Sequence, residues 1–235
     1  MSDFKLTPTD RLFILTGAGV SAESGVPTFR DANGLWCNHR IEDVATPVAW
    51  RRDPQLVWRF YSMRRRDAAK SQPNPAHLAI AAVQRKLQDR LFLCTQNVDD
   101  LHERGGSSRV VHMHGELFKS RCDSCSRPPF EDAQLYDEPP AALPRCECGG
   151  QIRPHICWFG EIPYDMDEIY AALDHCTIFL AIGTSGTVEP AASFAAHAGR
   201  HAKTCYVGPE PPVNLRLFHH CLLGKAGEIL PDLFR

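Results

Sequence analysis

A glycine-rich turn directly after a short apolar run constrains the fold of this chain more than any other feature. The run Leu12-Phe13-Ile14-Leu15 has the length of a buried strand, and Gly17-Ala18-Gly19 follows it. Glycines permit positive φ and let a ligand approach the backbone, because they lack a Cβ. If Val20-Ser21-Ala22 begins a helix, its free N–H groups point back at the turn and suit a pyrophosphate. The spacing Gly17-x-Gly19-x-x-Ala22 fits a dinucleotide-binding turn, but alone it is equally typical of any tight strand-to-helix turn.

Length and composition predict a globular protein of one domain, or of one domain with an inserted lobe. The chain has 235 residues, of which 43% are hydrophobic and 23% are charged. Its net charge of −2 gives no basic field for nucleic acid, and the run Arg64-Arg65-Arg66 is most simply interpreted as a solvated helix face. No apolar stretch approaches the roughly 20 residues of a membrane helix, and the start lacks a signal-peptide core. We therefore expect a cytoplasmic monomer with no membrane or nucleic-acid partner.

Alternating apolar runs and helical patterns predict an α/β protein with a mainly parallel, doubly wound sheet. Strands are predicted at 12–15, 90–95, 109–115, 156–161, 176–182 and 204–207. Helices are predicted over 54–70, 76–87, 167–173 and 190–198. Asp53 is the expected N-cap of the first of these helices, and Pro54 its first residue. Residues 116–153 show little periodicity, so no regular element is predicted there.

Polar or small residues follow two of the predicted strands. Gln96-Asn97-Val98-Asp99 comes directly after the strand at 90–95, and Gly183-Thr184-Ser185 comes after the strand at 176–182. The carboxyl ends of central strands are where α/β folds place ligands. The second segment is also a possible anion-binding turn.

Four cysteines in a proline-rich segment predict a structural zinc site. The pairs Cys122-x-x-Cys125 and Cys146-x-Cys148 are 20 residues apart, and paired thiolates on two short turns are usual for tetrahedral zinc. Gly149-Gly150 would let the tighter second turn close on the metal. Four thiolates leave no open coordination position, which argues against a catalytic zinc. The alternative is four unrelated thiols.

Several short motifs occur in order along nearly the whole chain. They are Gly17-Ala18-Gly19-Val20-Ser21, Gly25-Val26-Pro27-Thr28-Phe29-Arg30, Thr95-Gln96-Asn97-Val98-Asp99, His112-Met113-His114-Gly115, the four cysteines, Trp158-Phe159-Gly160-Glu161 and Gly183-Thr184-Ser185. Together and in this order they resemble the motifs of the sirtuins, a family of NAD-dependent protein-lysine deacylases. This resemblance is far more specific than the glycine turn alone.

The resemblance implies a Rossmann-like NAD-binding domain and a smaller lobe that is formed by insertions and holds one structural Zn²⁺. The larger domain would comprise residues 1–30, 78–115 and 154–235, and the helical and zinc-binding lobe residues 31–77 and 116–153. NAD and an acylated lysine side chain of a protein would enter the cleft between the lobes from opposite sides.

The resemblance also implies the contacts to NAD. Gln96, Asn97 and Asp99 would line the nicotinamide and ribose pocket, and Gly183-Thr184-Ser185 would hold the adenosine side. Gly208 and Ala226 correspond to the family only by position, since Val207-Gly208-Pro209-Glu210 replaces a segment that typically begins with Asn. The full predicted set is Gly17, Ala18, Gly19, Ser21, Ala22, Glu23, Pro27, Thr28, Phe29, Arg30, Trp36, Gln96, Asn97, Val98, Asp99, His114, Gly183, Thr184, Ser185, Gly208, Pro209, Glu210 and Ala226.

His114 is the predicted catalytic base, with Asn97 as a second catalytic residue. In sirtuins the acyl oxygen attacks the ribose carbon that carries nicotinamide, and a base then draws a proton from a ribose hydroxyl. The products are free lysine, nicotinamide and O-acyl-ADP-ribose. Imidazole suits the base because its ordinary pKa lies near the working pH. His112 and His102 remain alternatives on chemistry alone, and only the His-Gly motif selects His114.

Tyr61 and Arg64 are the predicted receptor for the acyl group. They are three residues apart on one helix, so both can contact one ligand, and a guanidinium binds a carboxylate bidentately. The pair resembles the signature of the class III sirtuins, which remove succinyl, malonyl and glutaryl groups. The segment Ala45-Thr46-Pro47-x-Ala49 is also similar to that class, in which small residues widen the acyl pocket, and Ala49 is assigned to substrate binding. Trp158, Phe159 and Gly160 are also assigned to substrate binding. The alternative is that Tyr61 packs in the lobe and Arg64 lies on the surface.

Other activities remain open at this stage. The enzyme could be mainly a deacetylase, or an NAD-dependent ADP-ribosyltransferase on the same fold. A non-catalytic NAD or ADP-ribose sensor and a hydride-transferring dehydrogenase are more distant alternatives. Product mass, nicotinamide release and absorbance of reduced cofactor would separate them.

Overall fold

Two sheets organise the protein, and the larger one is parallel throughout. The structure is a computed structural model that describes residues 6–7, 9–27, 37, 39–137 and 143–235. The strands are β1 (Leu12–Thr16), β2 (Leu91–Thr95), β3 (Val111–His112), β4 (Gly115–Cys122), β5 (Phe130–Glu131), β6 (Ile152–Ile156), β7 (Ile178–Ile182), β8 (Lys203–Gly208) and β9 (His220–Leu223). The larger sheet has the order β3-β2-β1-β7-β8-β9. The strand order reverses between β1 and β7, as in a Rossmann sheet, so the predicted fold class is confirmed.

Helices flank this sheet and build the smaller lobe. They are α1 (Gly19–Ala22), α2 (Ile41–Val44), α3 (Pro47–Arg52), α4 (Pro54–Lys70), α5 (Pro75–Leu87), α6 (Leu101–Arg104), α7 (Met166–His175), α8 (Phe194–Ala198) and α9 (Ala226–Leu233). The predicted start of α4 is confirmed, since the Asp53 carboxylate accepts a hydrogen bond from the Leu56 backbone N–H at 2.9 Å. In the described part of the chain, none of the helices has both the length and the apolar character of a bilayer span.

The larger sheet is buried on both faces. Alternate side chains of β1 point to opposite faces, so Leu12 and Ile14 pack with residues of α5 and α9, while Phe13 and Leu15 pack with residues of α7 and α8. Every residue of β1 is buried. Covering by helices on both sides explains why the strand is an unbroken apolar run instead of an alternating one.

A third core lies in the smaller lobe, where α4 packs against a three-stranded antiparallel sheet of order β5-β4-β6. The aromatic side chains of Trp58, Tyr61 and Trp158 are buried there. Three predicted domain boundaries fall inside elements of the structure. The boundary at 77/78 lies within α5, the boundary at 115/116 within β4 and the boundary at 153/154 within β6.

Four sequence-based expectations were wrong. The β-like run 156–161 is not a strand, because β6 ends at Ile156 and a turn follows in which Gly160 has φ of 90°. Strand β4 lies in the segment where no regular element was predicted, and β9 was not predicted. The arginine run is not a solvated face: Arg64 and Arg65 are 6% and 1% exposed, and the side chain of Arg66 alone is 43% exposed.

Candidate active site

A cavity of about 620 Å³ lies outside the carboxyl ends of β1, β2, β7 and β8. Its size is that of a small-molecule site, and doubly wound sheets bind ligands where the strand order reverses. Most of the predicted site residues line it. They are Gly17, Ala18, Gly19, Ser21, Pro27, Tyr61, Arg64, Gln96, Asn97, Val98, Asp99, His114, Trp158, Phe159, Gly160, Gly183, Thr184, Ser185, Pro209 and Glu210.

Other predicted residues lie elsewhere. Thr28, Phe29, Arg30 and Trp36 are outside the described residues. Five more, within the described part, do not line the cavity: Ala22, Glu23, Ala49, Gly208 and Ala226. The carboxylate of Glu23 instead accepts a hydrogen bond from the Gly227 N–H at 2.9 Å, which ties the end of α1 to α9.

The cavity also has walls that the sequence analysis did not assign. Val26, Cys157, Glu161 and Tyr206 line it, as do residues of the proline-rich segment 211–213. Of the two alanines in the predicted small-residue segment, Ala45 lines the cavity and Ala49 does not, although both are buried in the core of the smaller lobe. Glu161 could have been found from its place in the Trp158-Phe159-Gly160-Glu161 motif. Tyr206 carries no local signal, because it follows an ordinary apolar strand pattern.

The glycine turn brings two strand ends close together. The Gly17 and Gly19 N–H groups donate to the carbonyls of Ile182 and Gly183 at 3.0 and 2.8 Å. A Cβ on Gly19 would lie 2.7 Å from the Gly183 Cα, and Gly183 itself has φ of 61°. Glycines are therefore required for contact between the β1 and β7 turns. The helix whose N-terminus was predicted to face a pyrophosphate is short. Since α1 has only four residues, its dipole is small.

A hydrogen-bonded group of polar side chains follows β2. The Asn97 amide donates to the Ser21 hydroxyl at 3.0 Å, and that hydroxyl lies 3.4 Å from the Asp99 carboxylate. Burial raises the pKa of Asp99, against hydrogen bonds from Leu101 and Ser21. The Gln96 amide donates to the Thr184 hydroxyl at 3.1 Å, which joins the turn after β2 to the turn after β7. These contacts orient Asn97 and Gln96 at the cavity wall.

Of the three histidines that the sequence analysis considered as the base, only His114 lines the cavity in the described part of the chain. His102 is fully buried beside the Thr16 hydroxyl, and burial lowers its pKa well below the ordinary value. Burial would also lower the pKa of His112, but the hydrogen bond and charge of Glu103, 2.8 Å away, raise it. Glu103 thus favours the protonated form of His112, and His112 does not line the cavity.

The environment of His114 is that of a base. Its Nδ1 lies 3.2 Å from the Gln96 carbonyl oxygen, which can only accept a hydrogen bond, so Nδ1 carries the proton and Nε2 keeps a lone pair. Burial lowers the pKa of His114, and the bond to Gln96 opposes this effect. The imidazole is therefore neutral at pH 7 and competent to accept a proton.

Tyr61 and Arg64 face the same cavity from α4. Tyr61 is 1% exposed, and its hydroxyl accepts a hydrogen bond from the Trp158 Nε1–H at 3.0 Å. The Arg64 Nη1 lies 3.6 Å from the Cys37 sulfur. The alternative that Arg64 lies on the protein surface is excluded by its burial. Arg64 thus places a permanent positive charge at the cavity wall.

The four predicted zinc ligands form a cluster. Their sulfur atoms all lie within 4.8 Å of one another, with Cys122 and Cys148 at 3.5 Å and Cys125 and Cys146 at 3.9 Å. Four thiolates at about 2.3 Å from a tetrahedral Zn²⁺ are about 3.8 Å apart, so the cluster suits structural zinc. All ten cysteines lie among the described residues, and none forms a disulfide.

Glycine allows the second zinc turn to close. Gly149 has φ of 85°, and a Cβ on Gly150 would lie 3.0 Å from the Cys122 sulfur. The Gly150 N–H lies 3.4 Å from the Cys148 sulfur and donates to it. The tight Cys-x-Cys spacing is thus compatible with a compact four-sulfur site.

Comparisons with known proteins point to one family. A model of the Sir2 family matches residues 17–190. The NAD-dependent protein deacylase of Shewanella oneidensis is 49% identical over 228 residues, which are 94% of this chain and 92% of that protein. The protein of the same name from Vibrio cholerae is 48% identical and covers 96% of this chain and 92% of its own length. Among solved structures, a Sir2 homologue in complex with NAD has a TM-score of 0.87 at 39% identity, covering 97% of this chain and 90% of that one.

Proposed function

Given that this chain belongs to the Sir2 family and is an NAD-dependent protein deacylase, we propose that it acts preferentially on lysines that carry an acidic acyl group, such as succinyl or malonyl. The observation that carries the proposal is the burial of Arg64 and Tyr61 side by side at the wall of the NAD-sized cavity. Acetyl-lysine would be a weaker substrate.

The electrostatics of the pocket support this preference. A guanidinium stays protonated at all working pH values and binds a carboxylate through two parallel hydrogen bonds. Such a cation, placed at a desolvated wall, interacts more favourably with a succinyl carboxylate than with a neutral acetyl group. The small side chain of Ala45 lines the same cavity and leaves room for the longer acyl chain.

The other cavity residues then have defined roles. His114 Nε2 accepts a proton from a ribose hydroxyl of NAD, while Nδ1 stays bound to the Gln96 carbonyl. Asn97, held by Ser21, orients the nicotinamide ribose. When NAD is bound, it supplies the electrophilic ribose carbon that receives the acyl oxygen. We assign nicotinamide, free lysine and O-acyl-ADP-ribose as the products.

The test uses NAD with succinyl-lysine and acetyl-lysine peptides of identical sequence, followed by mass spectrometry. The variant Arg64→Met should lower kcat/KM for the succinyl peptide by about 10- to 100-fold, the size of a hydrogen bond to a charged group, and should affect the acetyl peptide far less. Arg66→Met is the matched control, because Arg66 lies on the same helix with an exposed side chain.

The outcomes separate the alternatives. Faster removal of succinyl, with O-succinyl-ADP-ribose as product, supports the proposal. Equal losses on both peptides in Arg64→Met contradict it, and removal of acetyl alone makes the protein mainly a deacetylase. Consumption of NAD without deacylation would indicate an ADP-ribosyltransferase.

We also propose a monomeric state, a cytoplasmic location and no nucleic-acid partner, and the net charge of −2 supports the last of these. Light scattering coupled to gel filtration tests the first of these. A mass of two chains would contradict it.

A further inference from the structure

We propose that Trp158 is a positioning residue that makes the Tyr61 hydroxyl a hydrogen-bond donor to the acyl group. The inference rests on the proposed preference for acidic acyl groups, because a donor directed at the acyl terminus favours an anionic acceptor over a methyl group. Trp158 would therefore act on substrate selectivity through Tyr61.

The direction of the hydrogen bond between the two side chains carries the argument. The Trp158 Nε1–H lies 3.0 Å from the Tyr61 oxygen, and an indole N–H can only donate. The Tyr61 oxygen is therefore the acceptor, and its own proton points elsewhere. Among the described residues, no acceptor for that proton contacts Tyr61, while both side chains line the cavity. Burial raises the pKa of Tyr61, so the hydroxyl keeps the proton that it would donate.

Two side chains, which also bind each other, hold Trp158 in place. Its backbone N–H donates to the Glu161 carboxylate at 2.8 Å. The Arg153 guanidinium stacks on the indole, 3.4 Å from the ring centroid, which is a favourable cation–π contact. Arg153 and Glu161 form two parallel hydrogen bonds of 2.7 and 2.9 Å. With Trp158 1% exposed, the indole has little freedom to rotate, so its N–H stays directed at Tyr61.

This arrangement connects the smaller lobe to substrate selection. Arg153 belongs to β6 of the small sheet, whereas Tyr61 belongs to α4. The hydrogen bond between the Trp158 and Tyr61 side chains links these two parts of the smaller lobe at the cavity wall. A loss of the N–H leaves the Tyr61 hydroxyl free to turn and to donate its proton in other directions.

A double-mutant cycle tests the inference. The variants Trp158→Phe, Tyr61→Phe and their combination are assayed with matched succinyl and acetyl peptides. We expect Trp158→Phe to lower the ratio of succinyl to acetyl kcat/KM by about three- to tenfold, the size of one net hydrogen bond, mainly through KM. In the Tyr61→Phe background, Trp158→Phe should cause no further change in the ratio of succinyl to acetyl kcat/KM, because the Trp158 N–H has already lost its acceptor.

Two further variants test whether the change in the ratio comes from the Trp158 N–H or from general damage to the core. Trp58→Phe removes another buried indole N–H of the same core, which donates to the Ile152 carbonyl at 3.2 Å and faces away from the cavity, and it should leave the ratio unchanged. If Trp158→Phe folds poorly, benzothienylalanine at position 158 keeps the shape of the indole and lacks only the N–H. The expected change in ratio is the same.

The results distinguish this inference from the proposed function. A lower ratio in Tyr61→Phe with an unchanged ratio in the Trp158 variants overturns the inference and leaves the proposed preference standing. A further drop when Trp158→Phe is added to Tyr61→Phe also overturns it. An unchanged ratio in both Tyr61→Phe and Arg64→Met overturns the proposed preference, and the inference with it.

Discussion

Replacement of the Arg65 side chain should lower the free energy of unfolding, because it breaks a buried ion pair. Arg65 is 1% exposed on α4, and its guanidinium donates to the Leu117 and Gln134 carbonyls at 2.8 and 2.7 Å and to the Ser120 hydroxyl at 3.0 Å. It also pairs with the buried Asp132 carboxylate at 3.4 Å. The change Arg65→Met leaves that carboxylate and two carbonyls without their cationic partner. Breaking a buried ion pair in this way costs about 3–5 kcal/mol.

The measurement is urea denaturation followed by far-UV circular dichroism, with zinc present throughout. Arg66→Met is the control, because exposed pairs such as Arg66 with Asp137 contribute about 1 kcal/mol or less to the free energy of unfolding. Combining Arg65→Met with Asp132→Asn should recover part of the loss, since no uncompensated charge then remains. A loss in Arg65→Met equal to that in Arg66→Met would refute the argument.

Three further predictions concern the base and the metal. His114→Ala should keep the fold and NAD binding but lower kcat by about 10²–10⁴-fold; near-normal turnover would exclude His114 as the base. Because burial lowers the pKa of His114, wild-type kcat/KM should rise with pH through a pKa below the ordinary 6.5 and be level near pH 7, and a limb centred above 6.5 would contradict this. Cys146→Ser should lower the zinc content from one per chain and reduce the melting temperature, whereas Cys221→Ser, outside the cluster, should retain the metal. Elemental analysis measures the zinc content, and differential scanning fluorimetry measures the melting temperature.

Elements with a strong local pattern could be predicted from the sequence. Helix α4 has a cap, a proline and a 17-residue amphipathic pattern, and the strands beside β1 are unbroken apolar runs. Strand β4 was missed because it alternates charged and buried residues in a small sheet, among prolines and cysteines that resemble a loop. Strand β9 was missed because it is only four residues long and lies at the edge of the sheet, where half-buried positions give little hydrophobic pattern.

In the candidate site, too, some features could be predicted from the sequence and others could not. The motifs named most of the residues that line the cavity, but the structure gives the glycines a further reason that the sequence did not predict. Gly19 is required by contact with Gly183, a residue far along the chain, and not only by the approach of a ligand. Ala45 lines the cavity and Ala49 does not, although both belong to one predicted small-residue segment and both are buried in the core of the smaller lobe.

The sequence by itself determined the family motifs, the positions of the main strands along the chain and the grouping of the four cysteines, because these depend on patterns within short segments. Only the tertiary structure decided which of three consecutive arginines enter the core. Arg64 reaches the cavity, Arg65 binds carbonyls near β4 and Arg66 stays exposed. Burial is a property of the surface that packs against a helix, and that surface comes from distant parts of the chain, so the local pattern of α4 could not reveal it.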